Sequence, residues 1–350
     1  MSLADGSRPL KRIHTHGKEE TEMNRTDLKS ACKALAAATA LMLSLGTSVT
    51  HAAYPDRPIK IVVPYNAGGG TDVLSRAVAK GVGEVLHQSV VVENRPGASG
   101  MIGAEAVARS PADGYTLVST AADTHTINPH VYPKISYDGR KDFTPVAQVG
   151  YLPYAIVVSP QLGINTIDEY VALAKQKPGK LTYASWGVGS SSQVAMEMLN
   201  VGQSLDVLHV PFTGAAPAMT AVMGGQVDAL FVPLSLAKPA ADAGKVKLLG
   251  LAAPKRFAGA PDVPTLTEQG IDVVAAPWIG ILAPAGSPPA AVAKLSDAVA
   301  QAIKSDDVIR ALTVGGLEIN YRNAQDFAKF LVDDYALWGN TVKAANIKVE

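Results

Sequence analysis

The 350-residue sequence holds one cysteine and no surplus of either charge, with 31 Lys and Arg against 31 Asp and Glu. A single cysteine, Cys32, excludes a disulfide framework or a cysteine-based zinc site. Zero net charge excludes binding driven by counter-ion release, which needs a dense basic surface, so no nucleic-acid partner is expected. Catalytic signatures are missing too. There is no Gly-x-Ser-x-Gly elbow, and His87, His125, His130 and His209 show no His-Glu-x-x-His or other metal-ligand spacing. His125 and His130 flank Pro129 on an expected loop, and Asp306-Asp307 and Asp333-Asp334 read as solvated pairs on surface helices. The expectation is no catalytic residue, no metal, no cofactor and no enzyme.

What is present is apolar residues, 47% of the chain, enough to bury a core, in a length suited to about two domains. The first 52 residues stand apart from this average. Arg25, Lys29 and Lys33 precede an uncharged apolar run from Ala34 to Leu45, and Thr50-His51-Ala52 is a small-x-small cleavage site. The run is broken by Gly46, Thr47 and Ser48 well short of the roughly 20 residues of a membrane span, so it reads as a secretory signal cleaved near Ala52. Translation from Met1 or from Met23 fits this reading, and Met23 gives a leader of ordinary length. Cleavage removes Cys32 and leaves a weakly acidic chain with 24 basic and 26 acidic groups.

Downstream, short β-branched runs alternate with helical spacing, which predicts an α/β fold with largely parallel sheets. Strands are expected at 59–63, 90–92 and 116–119, with helices from Thr71 as N-cap and over 101–109. A second α/β unit follows, with strands at 155–158, 181–184, 207–210, 227–232 and 247–252. A further strand at 278–282 leads into helices over 289–304 and 324–344. The economical arrangement is two lobes joined by two hinge crossovers, the chain crossing near Val157 and returning near Ile279. Lobe 1 is then 53–156 with 279–350, and lobe 2 is 157–278. The C-terminal helices are expected to cover lobe 1.

Two strand-to-helix loops carry the chemistry. The first is Tyr65-Asn66-Ala67-Gly68-Gly69-Gly70-Thr71-Asp72, whose glycines let backbone N–H groups approach an anion at a helix start. No Lys-Ser/Thr follows, so it is not a P-loop. The second runs from Ser185 through Trp186, Gly189, Ser190 and Ser191, and Ser192 stands where a dinucleotide fingerprint has its third glycine. Thr213-Gly214-Ala215 in lobe 2 and the stretch Thr120, Asp123 and Thr124 in lobe 1 are placed to line the same cleft. Two opposed anion-suited loops are able to grip a dicarboxylate at both ends. Asp72 either caps its own helix or receives a ligand ammonium; Trp186 and Tyr65 either stack on a ligand or close the cleft; Trp278 belongs to the packing of the hinge strand.

The mature chain resembles, over essentially its whole length, the Bug family, the periplasmic receptors of tripartite tricarboxylate transporters. The resemblance lies in the stretches 61–72 (IVVPYNAGGGTD), 91–100 (VVENRPGASG), 111–117, 177–181, 210–214 and 283–286. It implies a two-lobed type II periplasmic-binding fold, a Venus flytrap that delivers a small carboxylate to membrane permease subunits and acts as a monomer. The ligand classes implied are di- or tricarboxylates, acidic amino acids and aromatic acids. By the same resemblance Tyr65, Ala67, Gly69, Thr71 and Asp72 contact ligand from lobe 1, and Ser185, Gly189, Ser190 and Ser191 from lobe 2. The sequence departs from the family pattern at Asn66, Trp186, Gln193 and Val232-Pro233, which puts the accepted ligand tail in question. Two other classes share the fold: a receptor that reports to a membrane sensor, and a periplasmic enzyme.

Overall fold

In strand β1 (Ile59–Val63) the apolar residues Ile59, Ile61, Val62 and Val63 are all buried, and Pro64 ends the run before a glycine-rich loop. The computed structural model describes residues 54–347; the expected leader, its cleavage site and Cys32 lie outside them. Parallel partners flank β1: β2 (Val90–Asn94) on one side and β3 (Thr116–Ala121) on the other. The sheet continues through β10 (Trp278–Pro284), β4 (Phe143–Tyr151) and β11 (Glu318–Asn323), all antiparallel to their neighbours. A second sheet is ordered β7 (Leu208–Pro211), β6 (Thr182–Ser185), β8 (Ala229–Pro233), β5 (Tyr154–Val158), β9 (Lys247–Ala252).

Both sheets are mixed, which corrects the expectation of largely parallel ones. The cause is the connection between lobes. β4 passes directly into β5 through Leu152-Pro153, and β10 returns antiparallel to β4, with the Leu152 amide donating to the Pro277 carbonyl at 2.9 Å. The crossing thus falls ahead of the expected position: all of β5 pairs with β8 and β9 in the second sheet, and Trp278 pairs with Tyr151 in the first.

Helices cover both sheets. In chain order they are α1 (Gly70–Leu86), α2 (Met101–Ala108), α3 (Asn128–Val131), α4 (Ile167–Gln176), α5 (Ser191–Gln203), α6 (Ala215–Met223), α7 (Leu234–Asp242), α8 (Pro289–Ala302), α9 (Asp306–Val314) and α10 (Ala324–Ala344). α8 packs on α1, and α10 lies along β4 and the π-helical turn Asp123–Ile127. β5 is apolar throughout because both faces are covered: Ile156 and Val158 enter the large core, Ala155 and Val157 the smaller core under α6 and α7.

Five elements were not expected from the sequence, and one of them, α3, continues the π-helical turn Asp123–Ile127 and so corrects the loop expected around Pro129. β4 carries Pro145, Gln148 and Gly150, which break its apolar pattern; β11 is a polar, half-exposed edge strand; α7 contains Pro239; and α9 is only nine residues. Asp334 also corrects the expectation of a solvated pair. It is buried on α10 and accepts hydrogen bonds from Trp278 Nε1 (2.7 Å), Trp338 Nε1 (3.1 Å) and Thr126 Oγ1 (2.7 Å). Those contacts fix Trp278 within the hinge strand's packing.

Candidate functional site

The loop after β1 is shaped by Asp72. Its carboxylate accepts from the Gly68 amide (2.8 Å), Asn94 Nδ2 (2.8 Å) and Arg76 Nε (3.1 Å). Burial alone raises this carboxyl, but the Arg76, Gly68 and Asn94 contacts outweigh it and hold the group below the usual carboxylate range. Gly68 sits at φ +78°, a conformation that L side chains rarely adopt, so the chain turns sharply into α1. The expected Thr71 cap is not formed. The N-cap is Gly69 and no side chain caps it, because the helix begins two residues earlier, at Gly70, and Thr71 lies inside its first turn. As a result the first-turn amides of Gly70, Thr71 and Asp72 have no acceptor among the described residues.

Across the cleft, Gly214 precedes α6, and a Cβ built on it would lie 3.6 Å from Asn66 Nδ2. Here too the helix start lacks a side-chain cap. Asn66, Ala67 and Gly68 face Thr213, Gly214 and Ala215 as two exposed or half-exposed loops.

The loop after β6 is organised differently. Ser190 is the N-cap of α5, its hydroxyl accepting from the Gln193 amide and donating to the Gly187 carbonyl at 2.7 Å. Ser185 Oγ lies 2.6 Å from His209 Nε2, and Gln193 Nε2 is 3.2 Å from His209 Nδ1. Burial pushes the His209 imidazole down to about 4, so it stays neutral at pH 7. These contacts make Ser185 and Gln193 supports of the loop. Trp186 packs edge-on against Tyr154, ring centroids 5.4 Å apart.

The lobes meet at Asp123. This lobe 1 residue is 4% exposed, and its Oδ1 accepts from the Ser191 amide (2.8 Å) and the Ser191 hydroxyl (3.0 Å) at the start of α5 in lobe 2. Tyr154 Oη lies 2.8 Å from the same hydroxyl. Burial pushes the Asp123 carboxyl up, and the Ser191 donors and Trp186 oppose that rise. Its charge, after burial, also raises Tyr65 and Tyr154. Beside it runs a buried hydroxyl chain in which Tyr65 Oη is 3.4 Å from Thr120 Oγ1, and Thr120 Oγ1 is 2.7 Å from Thr124 Oγ1. Thr124 lies 2.7 Å from His125 Nδ1, so it faces the lobe 1 core as much as the cleft.

The structure thus gathers the expected residues into two places. Asn66 to Thr71 and Thr213 to Ala215 line the mouth, whereas buried Thr120, Asp123 and Ser191 meet between the lobes beside half-buried Tyr65 and Trp186. Three residues here were not anticipated: Tyr154, which supports Ser191 from β5 within lobe 2, and Ser99 and Tyr132, whose hydroxyls reach the Val188 carbonyl across the cleft at 3.3 and 2.8 Å. A tyrosine opening an otherwise aliphatic strand was the one available signal for Tyr154. Lys255 pairs with Glu318 at 2.6 Å across the lobes beside the hinge.

A family model described as "Tripartite tricarboxylate transporter family receptor" matches residues 74–347. Protein BugT of Bordetella pertussis is 31% identical over 308 residues, 87% of this chain and 94% of that one. Among solved structures, R. palustris Rpa4515 with adipate superposes at a TM-score of 0.80 with 31% identity, covering 85% of this chain and all of that one. MatC from Rhodopseudomonas palustris, with bound malate, gives 0.76 and 33%, covering 83% of this chain and all of that one.

Proposed function

The chain belongs to the tripartite tricarboxylate transporter receptor family, and from that premise we propose that it is a periplasmic receptor that captures a small carboxylate between its lobes and presents it to membrane permease subunits. One observation carries the carboxylate chemistry: a carboxylate, that of Asp123, is held across the cleft by the amide and hydroxyl of Ser191 at the start of α5. The cleft therefore suits such a group by means of backbone dipole and neutral donors, without lysine or arginine. Uncapped amides at Gly70 and Thr71 offer the same chemistry on the lobe 1 side. Relatives described with adipate and malate support the ligand class.

The ligand-binding set under this reading is the mouth loops, Asn66 to Thr71 and Thr213 to Ala215, walled by Tyr65, Trp186 and the Asp123–Ser191 bridge. Each charge-assisted hydrogen bond contributes about 1.5–3 kcal/mol, so three or four suffice for micromolar affinity, which needs about 8 kcal/mol. Closure is selected by a ligand that touches both lobes, since only differential affinity shifts the equilibrium. Export through the 1–52 leader, with cleavage near Ala52, places the receptor where a permease meets it. Calorimetry of the purified exported protein, freed of retained ligand, against mono-, di- and tricarboxylates tests the reading: micromolar binding of at least one acid is expected, and a folded protein that binds none contradicts it.

A further inference from the structure

The start of α1 in lobe 1 and the start of α5 in lobe 2 do not offer equal seats for a carboxylate, whereas the uncapped start of α6 adjoins the first of them at Asn66. In the loop after β6 most donors are spent within the protein, the Trp186, Val188 and Ser192 amides excepted. The Gly187 amide donates to Ser185 Oγ, Gly189 to Gln193 Oε1, Ser190 to the Gly187 carbonyl and Gln193 to Ser190 Oγ. The Ser190 hydroxyl donates to the Gly187 carbonyl and that of Ser192 to the Phe231 carbonyl. Ser191, with its amide and hydroxyl, serves Asp123, and both residues are buried. At the start of α1, by contrast, the amides of Gly70 and Thr71 are without acceptors among the described residues, and the loop before them is exposed.

We propose that Asp123 is a specificity-determining residue: it keeps the Ser191 seat for itself, so that the receptor takes ligands with a single carboxylate, bound where the start of α1 meets that of α6, and discriminates against a second carboxylate reaching toward the start of α5. The inference rests on the carboxylate-capture reading and narrows its ligand class. A second ligand carboxylate would meet one of two obstacles. Seated beside Asp123 it would share the same two protons of Ser191, and two carboxylates on one set of donors do not both stay ionised. Seated in place of Asp123 it would leave that carboxylate buried without partners. Selectivity then comes from a repulsive element rather than from added contacts to the accepted ligand. The remaining wall, Tyr65, Tyr154 and Trp186, is aromatic and carries no formal charge, which suits an uncharged ligand tail.

The test is calorimetry with acids matched in carbon skeleton: butyrate against succinate, hexanoate against adipate, benzoate against terephthalate. For the wild type, each bound monocarboxylate is expected to bind at least as tightly as its dicarboxylate counterpart. In Asp123→Ala, with folding checked by circular dichroism, the dicarboxylate is expected to gain tenfold or more relative to its counterpart, because the Ser191 donors are freed. A wild type that prefers the dicarboxylate tenfold, or a folded variant whose ratio is unchanged, overturns the proposal and leaves carboxylate capture standing. Absence of binding by every acid overturns both. The wild-type ratio is read without any variant, so a misfolded Asp123→Ala does not shelter the proposal.

Discussion

Asp334, on the last helix, accepts the indole N–H of Trp278 at 2.7 Å, and Trp278 is the first residue of the strand that returns from lobe 2 to lobe 1. The C-terminal helix is thereby tied to the hinge by a buried carboxylate. Removing it in Asp334→Ala leaves two indole N–H groups and the Thr126 hydroxyl unpaired, and the expected loss is about 4 kcal/mol. Urea denaturation followed by tryptophan fluorescence measures it; a loss under 1 kcal/mol contradicts the role.

Gly150 in β4 faces β11 so closely that a Cβ there would lie 2.2 Å from the Glu318 carbonyl oxygen. Backbone cannot swing aside as a flexible side chain can. Gly150→Ala is expected to cost about 3 kcal/mol through overpacking, read as a lower urea midpoint, whereas Gly163→Ala, with no atom near its Cβ but φ +71°, is expected to cost only about 1 kcal/mol.

Asp72 supports its loop and has its oxygens engaged by Gly68, Asn94 and Arg76. Asp72→Ala is therefore expected to weaken every carboxylate alike, by roughly tenfold, the equivalent of about 1.4 kcal/mol. Calorimetry across several acids checks this. A loss confined to ligands bearing an ammonium group indicates direct recognition instead.

Ser191→Ala removes the hydroxyl that Asp123 engages across the lobes and Tyr154 supports from within lobe 2. The closed form is expected to lose about 1.5–3 kcal/mol. Small-angle scattering of the unliganded variant should show a larger radius of gyration than the wild type; equal radii would mean that the bridge does not hold the lobes together.

Acid sensitivity follows from two imidazoles. Burial pushes His125 down to about 3 and His209 down to about 4, against about 6.5 in an unfolded chain. Between those values the unfolded state binds more protons than the native one, so stability is full above pH 6.5 and falls as pH drops toward 4. Each fully buried imidazole accounts for up to about 1.4 kcal/mol per pH unit, and less for His209, which is only partly buried. Thermal melts from pH 7 to 4 should show the decline, and His125→Gln should flatten it.

Much of this was legible in the sequence, because the strands 59–63 and 247–252 and the helix 324–344 carry apolar periodicity that tertiary context does not override. The loops were legible as helix entries for a local reason, since glycine and hydroxyl residues are the usual caps of a helix start. What escaped was long-range. β4 is stabilised by pairing with β10 and β11, and β11 by pairing with β4, so neither advertises itself locally. Asp334 looked like half of a surface pair because its three partners are remote in sequence or a helical turn away. Asp123 was legible as a cleft residue, but its engagement with Ser191 depends on lobe closure, which no local pattern encodes.

Native mass spectrometry of the protein as isolated from the periplasm, followed by identification of the released molecule, shows whether the cleft takes a small acid with one carboxylate. An organic acid with a single carboxylate is expected. A retained dicarboxylate contradicts the role given to Asp123, and a retained neutral or cationic solute contradicts carboxylate capture itself.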